Sequence, residues 1–313
     1  MVIPIQELIF DLSKNKVNIQ RDQPLSKFSS FKIGGVSPLV IEPASVDDLV
    51  NAVCLLSNYS LPYKLLGGGT NILISDTPDD FAVIRLSGTF KDYNQISDSS
   101  FYIGAAANTT PVFRNISLMG YTGLEFLSTI PGSVGGAVIQ NAGCYGGEFF
   151  NVIQFVDVLK KDKVIRLAKS DIDYGYRWTQ FLQEKDSIIL GIEIQTEKGD
   201  LETIELSLKE KREKRKASQP ENRKSAGSVF KNPKIQDESG KEIKSWELID
   251  KVNLRGMTKG DAEISQKHCN FIINNGNAKA SDVHFLIELV KERVYNKFGI
   301  TLEKEIEYFG KIN

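Results

Sequence analysis

Two glycine-rich segments have the composition of a ligand-binding site. Gly67-Gly-Gly-Thr-Asn71 joins two apolar runs, and the segment 131–147 contains six glycines in 17 positions. Glycines let main-chain N–H groups converge on an anion and let the chain approach a ligand closely. For the first segment alone, a tight turn is the plainer interpretation. Together, the two segments predict a nucleotide held between two backbone surfaces.

Three further residues are of types that could stabilise charge or transfer a proton. Arg177 lies among aromatic residues and could clamp a carboxylate, although an interface arginine would have the same neighbours. Ser228 follows a glycine without a Gly-x-Ser-x-Gly elbow, so a hydrolase triad has no support and a turn serine is the plainer interpretation. Glu305 alternates with Glu303 and Glu307, a pattern that is typical of a solvated strand face.

The histidines, cysteines and basic residues indicate little further chemistry. His268 precedes an apolar strand and is expected to be packed, whereas His284 lies off the apolar face of its helix and is expected to be exposed. The three cysteines lack CxxC or zinc-site spacing, which excludes a disulfide framework and a structural zinc site, and Cys144 is interpreted as a packing residue. The basic run 209–216 is typical of a solvated helix end and less so of a phosphate-binding patch.

Strands and helices alternate around the first glycine-rich segment. Leu39-Val-Ile predicts a strand, and Ser45 caps a predicted helix over 46–57. Strands follow at 63–66 and 72–74, so the glycines join strand to strand. A dinucleotide-binding Rossmann fold needs glycines that open a helix, and that fold is therefore disfavoured.

The second half has longer elements. Strands are predicted over 152–159 and 187–195, followed by a domain boundary near 213–224. The apolar spacing predicts a last helix that Ser281 caps and Gly299 ends. The segment 300–308 alternates like a strand.

Length and charge limit the class of protein. A chain of 313 residues predicts two domains, or three if one is small. The net charge of −1 argues against a protein whose entire surface binds nucleic acid or membranes. No apolar run approaches membrane-spanning length, and Pro4 and Gln6 interrupt any signal-peptide core, so a cytoplasmic protein is expected.

Taken together, these features resemble the MurB family, the UDP-N-acetylenolpyruvoylglucosamine reductases of peptidoglycan precursor synthesis. Nine segments match in family order from about residue 28 to 310. They are 31–35, 66–73, 123–127, 130–137, 141–143, 176–177, 225–233, 267–274 and 302–307.

The resemblance implies an α+β architecture. Its FAD-binding fold is of the PCMH (vanillyl-alcohol oxidase-like) type, with two α+β domains and a third α+β domain that binds substrate. The FAD-binding halves would be 1–86, joined by the strand 302–313, and 87–212, and the substrate-binding domain would be 213–301. No long insertion separates Arg177 from Ser228, and in this respect the chain resembles the shorter subtype of the family, which lacks a mobile tyrosine loop.

The resemblance also implies the cofactors and the residues of the site. FAD would be bound non-covalently with NADPH as reductant, and no metal is expected. The catalytic residues would be Arg177, which stabilises negative charge, Ser228, which donates a proton, and Glu305, which polarises the substrate carboxylate. The implied FAD contacts are Gly67, Gly68, Gly69, Thr70, Asn71, Pro131, Gly132, Ser133, Val134, Gly136, Ala137 and Asn141. The implied substrate contacts are Tyr176, Lys216, Lys231 and Asn232, with Arg215 as a further candidate for the diphosphate.

The implied reaction reduces the enolpyruvyl group of UDP-N-acetylglucosamine enolpyruvate to a lactyl ether in a monomeric enzyme. The chain departs from the family pattern at Thr129, at Thr179 and in the closing Glu303-Lys-Glu-Ile-Glu, which leaves a choice between Glu303 and Glu305. The alternatives are a PCMH-type oxidase of an alcohol or sugar and a catalytically silent nucleotide-binding protein.

Overall fold

The computed structural model describes residues 5–15, 17–78, 81–184, 186–220 and 224–312. Its helices are α1 (Ile5–Lys14), α2 (Val46–Asn58), α3 (Thr109–Leu118), α4 (Val134–Ile139), α5 (Leu201–Ser218), α6 (Ser245–Lys251) and α7 (Ala280–Phe298). Its strands are β1 (Asn18–Pro24), β2 (Val36–Glu42), β3 (Tyr63–Leu65), β4 (Ile72–Ile74), β5 (Ala82–Ile84), β6 (Tyr93–Ser97), β7 (Ser100–Gly104), β8 (Tyr121–Thr122), β9 (Gly143–Cys144), β10 (Gly147–Glu148), β11 (Ile153–Lys160), β12 (Lys163–Ala168), β13 (Tyr174–Gly175), β14 (Trp178–Thr179), β15 (Ser187–Gln195), β16 (Glu197–Lys198), β17 (Thr258–Lys259), β18 (Ala262–Ile264), β19 (Ile272–Asn274) and β20 (Glu307–Phe309).

The chain divides into two compact units, and its mixed α+β composition confirms the predicted class. Unit 1 comprises the described parts of Met1–Gln23, Pro38–Gly68 and Asp80–Arg215. Unit 2 comprises those of Pro24–Ser37, Gly69–Asp79 and Lys216–Asn313. The finer division into three domains stays a prediction.

Unit 1 is built on two sheets. The larger is antiparallel, in the order β12-β11-β15-β7-β6, and its core includes Phe113 of α3 and Val138 of α4. In the smaller sheet, β5 pairs in parallel with both β2 and β3. The predicted cap of α2 is confirmed, because the Ser45 hydroxyl accepts a hydrogen bond from the Asp48 N–H and the Asp48 carboxylate accepts one from the Ser45 N–H.

Unit 2 packs around α7. Val283, Leu286, Ile287, Val290 and Val294 form the buried stripe that the sequence predicts. The sheet β17-β18-β19 is antiparallel, and β20 pairs in parallel with β4. Gly299 ends the helix as predicted, with a φ of +68° that glycine adopts without strain.

The predicted N-terminal cap of α7 is wrong. Ser281 lies inside the helix, whose flanking residue is Lys279. The cap comes instead from Asp76, whose two carboxylate oxygens accept hydrogen bonds from the Ala280 N–H over 3.0 and 2.9 Å. A carboxylate that is remote in sequence therefore accepts from an N–H of the first turn. Its negative charge also interacts favourably with the positive end of the helix dipole.

The predicted strand over 300–308 is wrong for most of its length. Regular strand structure is confined to β20 at its end. Before that, the Glu305 N–H donates to the Val229 carbonyl and the Lys231 N–H donates to the Glu303 carbonyl. This pairing stays short because Pro233, which has no N–H, follows the partner segment.

The cap of α7 by Asp76 leads to a prediction about stability. Asp76→Ala should lower the free energy of unfolding by about 0.5–2 kcal/mol, because the first turn of α7 loses its acceptor. The measurement is urea unfolding followed by tryptophan fluorescence. Glu292→Ala removes a charge from the exposed face of the same helix and is the control. Equal effects of both variants would contradict the capping role.

Candidate functional site

In unit 1, Gly67 and Gly68 lie against the start of the second glycine-rich segment. The Gly68 N–H donates to Ser133 Oγ over 3.2 Å. A Cβ on Gly68 would lie 2.6 Å from the Gly132 Cα and 2.8 Å from the Ser133 nitrogen. Gly67 likewise has no room for a Cβ beside Ser133 Oγ. Backbone therefore faces backbone at this point, and the predicted nucleotide between the two segments stays a prediction.

The second segment contains a short helix that its composition does not predict, since glycines such as Gly135 disfavour helices. Ser133 caps α4 by accepting a hydrogen bond from the Gly136 N–H over 3.4 Å. The Thr109 N–H and hydroxyl both donate to the Gly132 carbonyl, over 2.9 and 3.1 Å. These bonds fix the path of the chain where it meets the first segment.

Asn141 is wholly buried and adopts a left-handed φ of +43°. Its Nδ2 donates to Glu148 Oε2 over 2.9 Å and to the Gly175 carbonyl over 3.0 Å, and its Oδ1 accepts from the Phe150 N–H. The amide therefore anchors the hairpin of β13 and β14. The predicted FAD contact of Asn141 stays a prediction.

That hairpin carries Arg177 at its two-residue turn, next to Tyr176. Arg177 has a φ of +52°, a left-handed conformation that costs a non-glycine residue about 1 kcal/mol. Its Nη2 donates to the Gly143 carbonyl, and Thr179 Oγ1 donates to the Ile139 carbonyl. The guanidinium also lies 5.0 Å from the centre of the Tyr176 ring. The turn is thus held from several sides, which fixes a strained arginine in place.

Three side chains of unit 1 form a cationic group that acts electrostatically on the Cys144 thiol: Arg177, Lys211 and Arg215. Burial raises the pKa of this thiol, and the three cations oppose that shift. Its Sγ lies 3.3 Å from the Phe126 carbonyl oxygen, in accordance with a packing role. Burial also lowers the pKa of Arg215, but a guanidinium retains its charge at neutral pH. The group suits a carboxylate or a diphosphate, and Lys211 is a member that sequence analysis missed.

In unit 2, the residues after Gly68 are tied to the segment that leads to Ser228. Gly69 has a φ of +64°, and the Phe28 carbonyl leaves no room for a Cβ there. The Ser30 N–H donates to the Gly69 carbonyl over 2.9 Å. The Ser30 hydroxyl lies 3.1 Å from the same carbonyl and 2.7 Å from that of Ser225.

Ser228 lies in an extended segment that is paired on both sides. Ser228 forms an isolated β-bridge with Phe271, and Phe230 forms one with Lys304. Ser228 is half-buried and follows Gly227, whose φ is +79°. The left-handed glycine turns the chain so that Ser228 enters this pairing.

Glu305 lies beside the same segment. Its N–H donates to the Val229 carbonyl over 2.8 Å, and its carbonyl accepts from Asn71 Nδ2 over 3.0 Å. Glu305 is half-buried, whereas the side chain of Glu303 is 76% exposed and pairs with Lys231 over 3.5 Å. The main chain of Glu305 therefore contacts the residue next to Ser228, and the assignment of the third catalytic role to Glu305 rather than Glu303 stays a prediction.

The predicted substrate contacts in unit 2 are anchored by hydrogen bonds, those of Lys231 and Lys216 to their main-chain carbonyls and that of Asn232 to its side chain. Asn232 Oδ1 accepts from the Ser245 N–H over 3.1 Å at the start of α6, and the Ser245 hydroxyl donates to the Lys231 carbonyl. The Lys216 carbonyl accepts from Lys267 Nζ over 2.6 Å. Their roles toward a substrate stay predictions.

Of the two expectations for the histidines, the one for His268 is confirmed and the one for His284 is wrong. His268 is packed as predicted, with Phe271 at 4.9 Å between ring centres, and burial lowers its pKa. His284 is half-buried rather than exposed, because Tyr308 lies over it with a hydroxyl 2.9 Å from Nδ1. All three cysteines are free.

Neither a metal site nor a membrane span occurs within the described ranges. Among those residues, no three His, Cys, Asp or Glu side chains converge. In the same part of the chain, every helix is too short or too polar to cross a bilayer.

Family models and known proteins match residues in both units. A family model for the UDP-N-acetylenolpyruvoylglucosamine reductase C-terminal domain matches residues 219–309, and an FAD binding domain model matches residues 37–167. The chain is 58% identical to the UDP-N-acetylenolpyruvoylglucosamine reductase of Leptospira interrogans serogroup Icterohaemorrhagiae serovar copenhageni (strain Fiocruz L1-130), over 96% of this chain and 95% of that protein. It is 36% identical to the reductase of the same name from Caldanaerobacter subterraneus subsp. tengcongensis, over 93% of each chain.

A solved structure extends the match to the fold. The crystal structure of UDP-N-acetylenolpyruvylglucosamine reductase (MurB) from Thermus caldophilus aligns with a TM-score of 0.79 and 31% identity. The alignment covers 94% of this chain and 99% of that chain. The flavin-binding fold class expected from the sequence is confirmed.

The residues of unit 1 fit FAD. Its pyrophosphate needs main-chain donors and close backbone approach, and Gly67, Gly68 and Gly132 place no side chain in its way. Their contact with FAD stays a prediction. A Cβ at Gly68 would meet main-chain atoms rather than a flexible side chain.

The glycine contact makes a binding prediction. Gly68→Ala should weaken FAD binding about 10-fold or more, because overpacking of this kind costs about 1–3 kcal/mol. The measurement is fluorescence titration of the FAD-free protein with FAD. Gly175→Ala is the control, since its Cβ would meet nothing within 4 Å. Wild-type affinity in Gly68→Ala would contradict the role of the contact.

Proposed function

The chain belongs to the UDP-N-acetylenolpyruvoylglucosamine reductase family, and on that basis we propose its reaction and the residues that perform it. It is an FAD-dependent oxidoreductase that uses NADPH to reduce the enolpyruvyl group of UDP-N-acetylglucosamine enolpyruvate. The product is the lactyl ether of UDP-N-acetylmuramate, a peptidoglycan precursor. The family membership favours this reduction over the oxidase alternative.

The observation that carries the residue assignment is the pairing of the Ser228 segment with Glu305. Both residues are half-buried, and the main chain of Glu305 bonds to Val229 in unit 2. A hydroxyl and a carboxyl group on adjacent extended segments can face one substrate group together. This arrangement supports a proton donor and a carboxylate-polarising residue side by side.

The reaction adds a hydride to the terminal carbon of the enolpyruvyl group and a proton to the carbon next to its carboxylate. FAD, when bound, supplies the hydride that it has received from NADPH. Negative charge then develops on the second carbon and its carboxylate. We assign its stabilisation to Arg177, whose guanidinium is held by the Gly143 carbonyl and the Tyr176 ring.

Ser228 donates the proton from its hydroxyl to the second carbon and later regains one from solvent. A serine hydroxyl is a weak acid, so it must act at close range on a strongly basic carbon. In its protonated form, Glu305 donates a hydrogen bond to the substrate carboxylate, which lowers the cost of the charge that Arg177 also stabilises. Each of these roles requires a fixed backbone, which the bonds of Val229 and Asn71 provide.

Two further proposals concern the cellular location and the oligomeric state of the enzyme. NADPH and nucleotide sugars are metabolites of the cytoplasm, which supports a cytoplasmic place for the enzyme. The expected monomeric state is also a proposal.

The proton-donor role makes a kinetic prediction. Ser228→Ala should leave flavin reduction by NADPH unchanged and slow flavin reoxidation by substrate about 10²–10⁴-fold, because only the second step consumes the proton. Anaerobic stopped-flow absorbance measures each step separately. Ser239→Ala, in an exposed turn of the same unit, is the control. Equal damage to both steps in Ser228→Ala would refute the assignment.

The basic substrate contacts make a second prediction. Lys216→Met and Lys231→Met should each raise the KM for the nucleotide sugar about 10–100-fold, because a hydrogen bond to a charged group contributes about 1.5–3 kcal/mol. Steady-state kinetics at saturating NADPH measures the change. The exposed Lys234 provides the control variant Lys234→Met. A KM that stays at the wild-type value would show that this lysine does not bind the substrate.

A further inference from the structure

Asn270 forms an unusual double contact with the segment that carries Ser228. Its Nδ2 donates to the Phe230 carbonyl over 2.8 Å, and its Oδ1 accepts from the Phe230 N–H over 2.9 Å. One side-chain amide thus pairs with both main-chain groups of one residue, as a neighbouring strand would. Asn270 is 4% exposed and Phe230 is 2% exposed, so water does not compete for these bonds.

The main chain of Asn270 continues the same contact toward Ser228. The Val229 N–H donates to the Asn270 carbonyl over 2.8 Å. The next residue, Phe271, forms the β-bridge with Ser228 itself. Consecutive residues from Ser228 to Phe230 are therefore fixed by Asn270 and its neighbour.

An amide is the side chain that this position requires. The Phe230 carbonyl and N–H are buried, and a buried polar group without a partner costs about 1–3 kcal/mol. Asparagine offers a donor and an acceptor at the spacing of a peptide group, whereas serine is too short to reach both. The Asn270 N–H in turn donates to His268 Nδ1 over 3.3 Å, which orients the residue further.

We infer that Asn270 is a positioning residue for the proton donor Ser228, an inference that rests on the proposed function. A weak acid transfers its proton only when its hydroxyl is held close to the basic carbon. Misplacement of a reacting group by about 1 Å can cost about 10²-fold in rate. Asn270 acts through the backbone of residues 228–230 and has no role in flavin reduction.

The test uses the full-length FAD-loaded enzyme and compares two buried asparagines of unit 2. Asn270→Ser should slow flavin reoxidation by substrate about 10–100-fold and leave flavin reduction by NADPH within about twofold of wild type. The solvent deuterium isotope effect on reoxidation should increase, because proton transfer becomes more rate-limiting. Asn274→Ser is the matched control, since Asn274 is also 4% exposed and bonds to the Phe31 carbonyl and the Gly276 N–H.

A double variant separates positioning from general destabilisation. In the Ser228→Ala background, Asn270→Ser should change the reoxidation rate less than about twofold, because the group that it positions is already absent. Thermal unfolding midpoints of Asn270→Ser and Asn274→Ser show whether loss of stability alone accounts for the rates. If Asn270→Ser does not fold, Asn270→Asp, which keeps the shape but as a carboxylate lacks the donor, takes its place.

The outcomes are distinct. Slow reoxidation in Asn270→Ser but not in Asn274→Ser, together with no added effect on Ser228→Ala, supports the inference. Equal effects of the two asparagine variants, or full additivity with Ser228→Ala, would overturn it. Normal reoxidation in Ser228→Ala alone would instead overturn the proposed proton donor.

Discussion

The backbone contact of Gly68 with Gly132 and Ser133 is the constraint on which the flavin-binding unit depends. A side chain at this contact would meet main-chain atoms at less than 3 Å. The contact therefore requires glycine at position 68, and Gly132 has a φ of +114°, a conformation that glycine adopts without strain. The same second segment anchors the turn of Arg177, because the Gly143 carbonyl accepts a hydrogen bond from the Arg177 guanidinium.

In unit 2, the chemistry depends on how firmly a weak acid is held. The role that we propose for Ser228 requires a fixed distance rather than a shifted acidity, in contrast to the activated serine of hydrolases. The segment around Val229 bonds to Asn270 on one side and to Glu305 on the other. Asn71, next to the glycines of the first segment, holds the Glu305 carbonyl as well. Asn71, a predicted FAD contact, therefore also bonds to the main chain of Glu305, a predicted catalytic residue.

The parts of this structure that the sequence predicts are those with local causes. The Ser45 cap, the stripe of α7 and the stop at Gly299 follow from neighbours within a few residues. The cap of α7 by Asp76 could not be predicted, because its two partners are 204 positions apart in the chain. The positioning role of Asn270 was hidden for the same reason, since nothing in its local sequence distinguishes a paired amide from a surface one. The catalytic assignments of Arg177, Ser228 and Glu305 came from the family resemblance and not from local patterns.

The central claim is that the enzyme passes a hydride from NADPH through FAD to the enolpyruvyl group. The most direct measurement is to reduce the purified enzyme anaerobically with one equivalent of NADPH, add UDP-N-acetylglucosamine enolpyruvate, and follow the absorbance of oxidised flavin. The account predicts rapid return of that absorbance together with formation of the lactyl ether. A flavin that stays reduced until oxygen is admitted would contradict the proposed substrate, and a protein that binds no FAD would contradict the whole account.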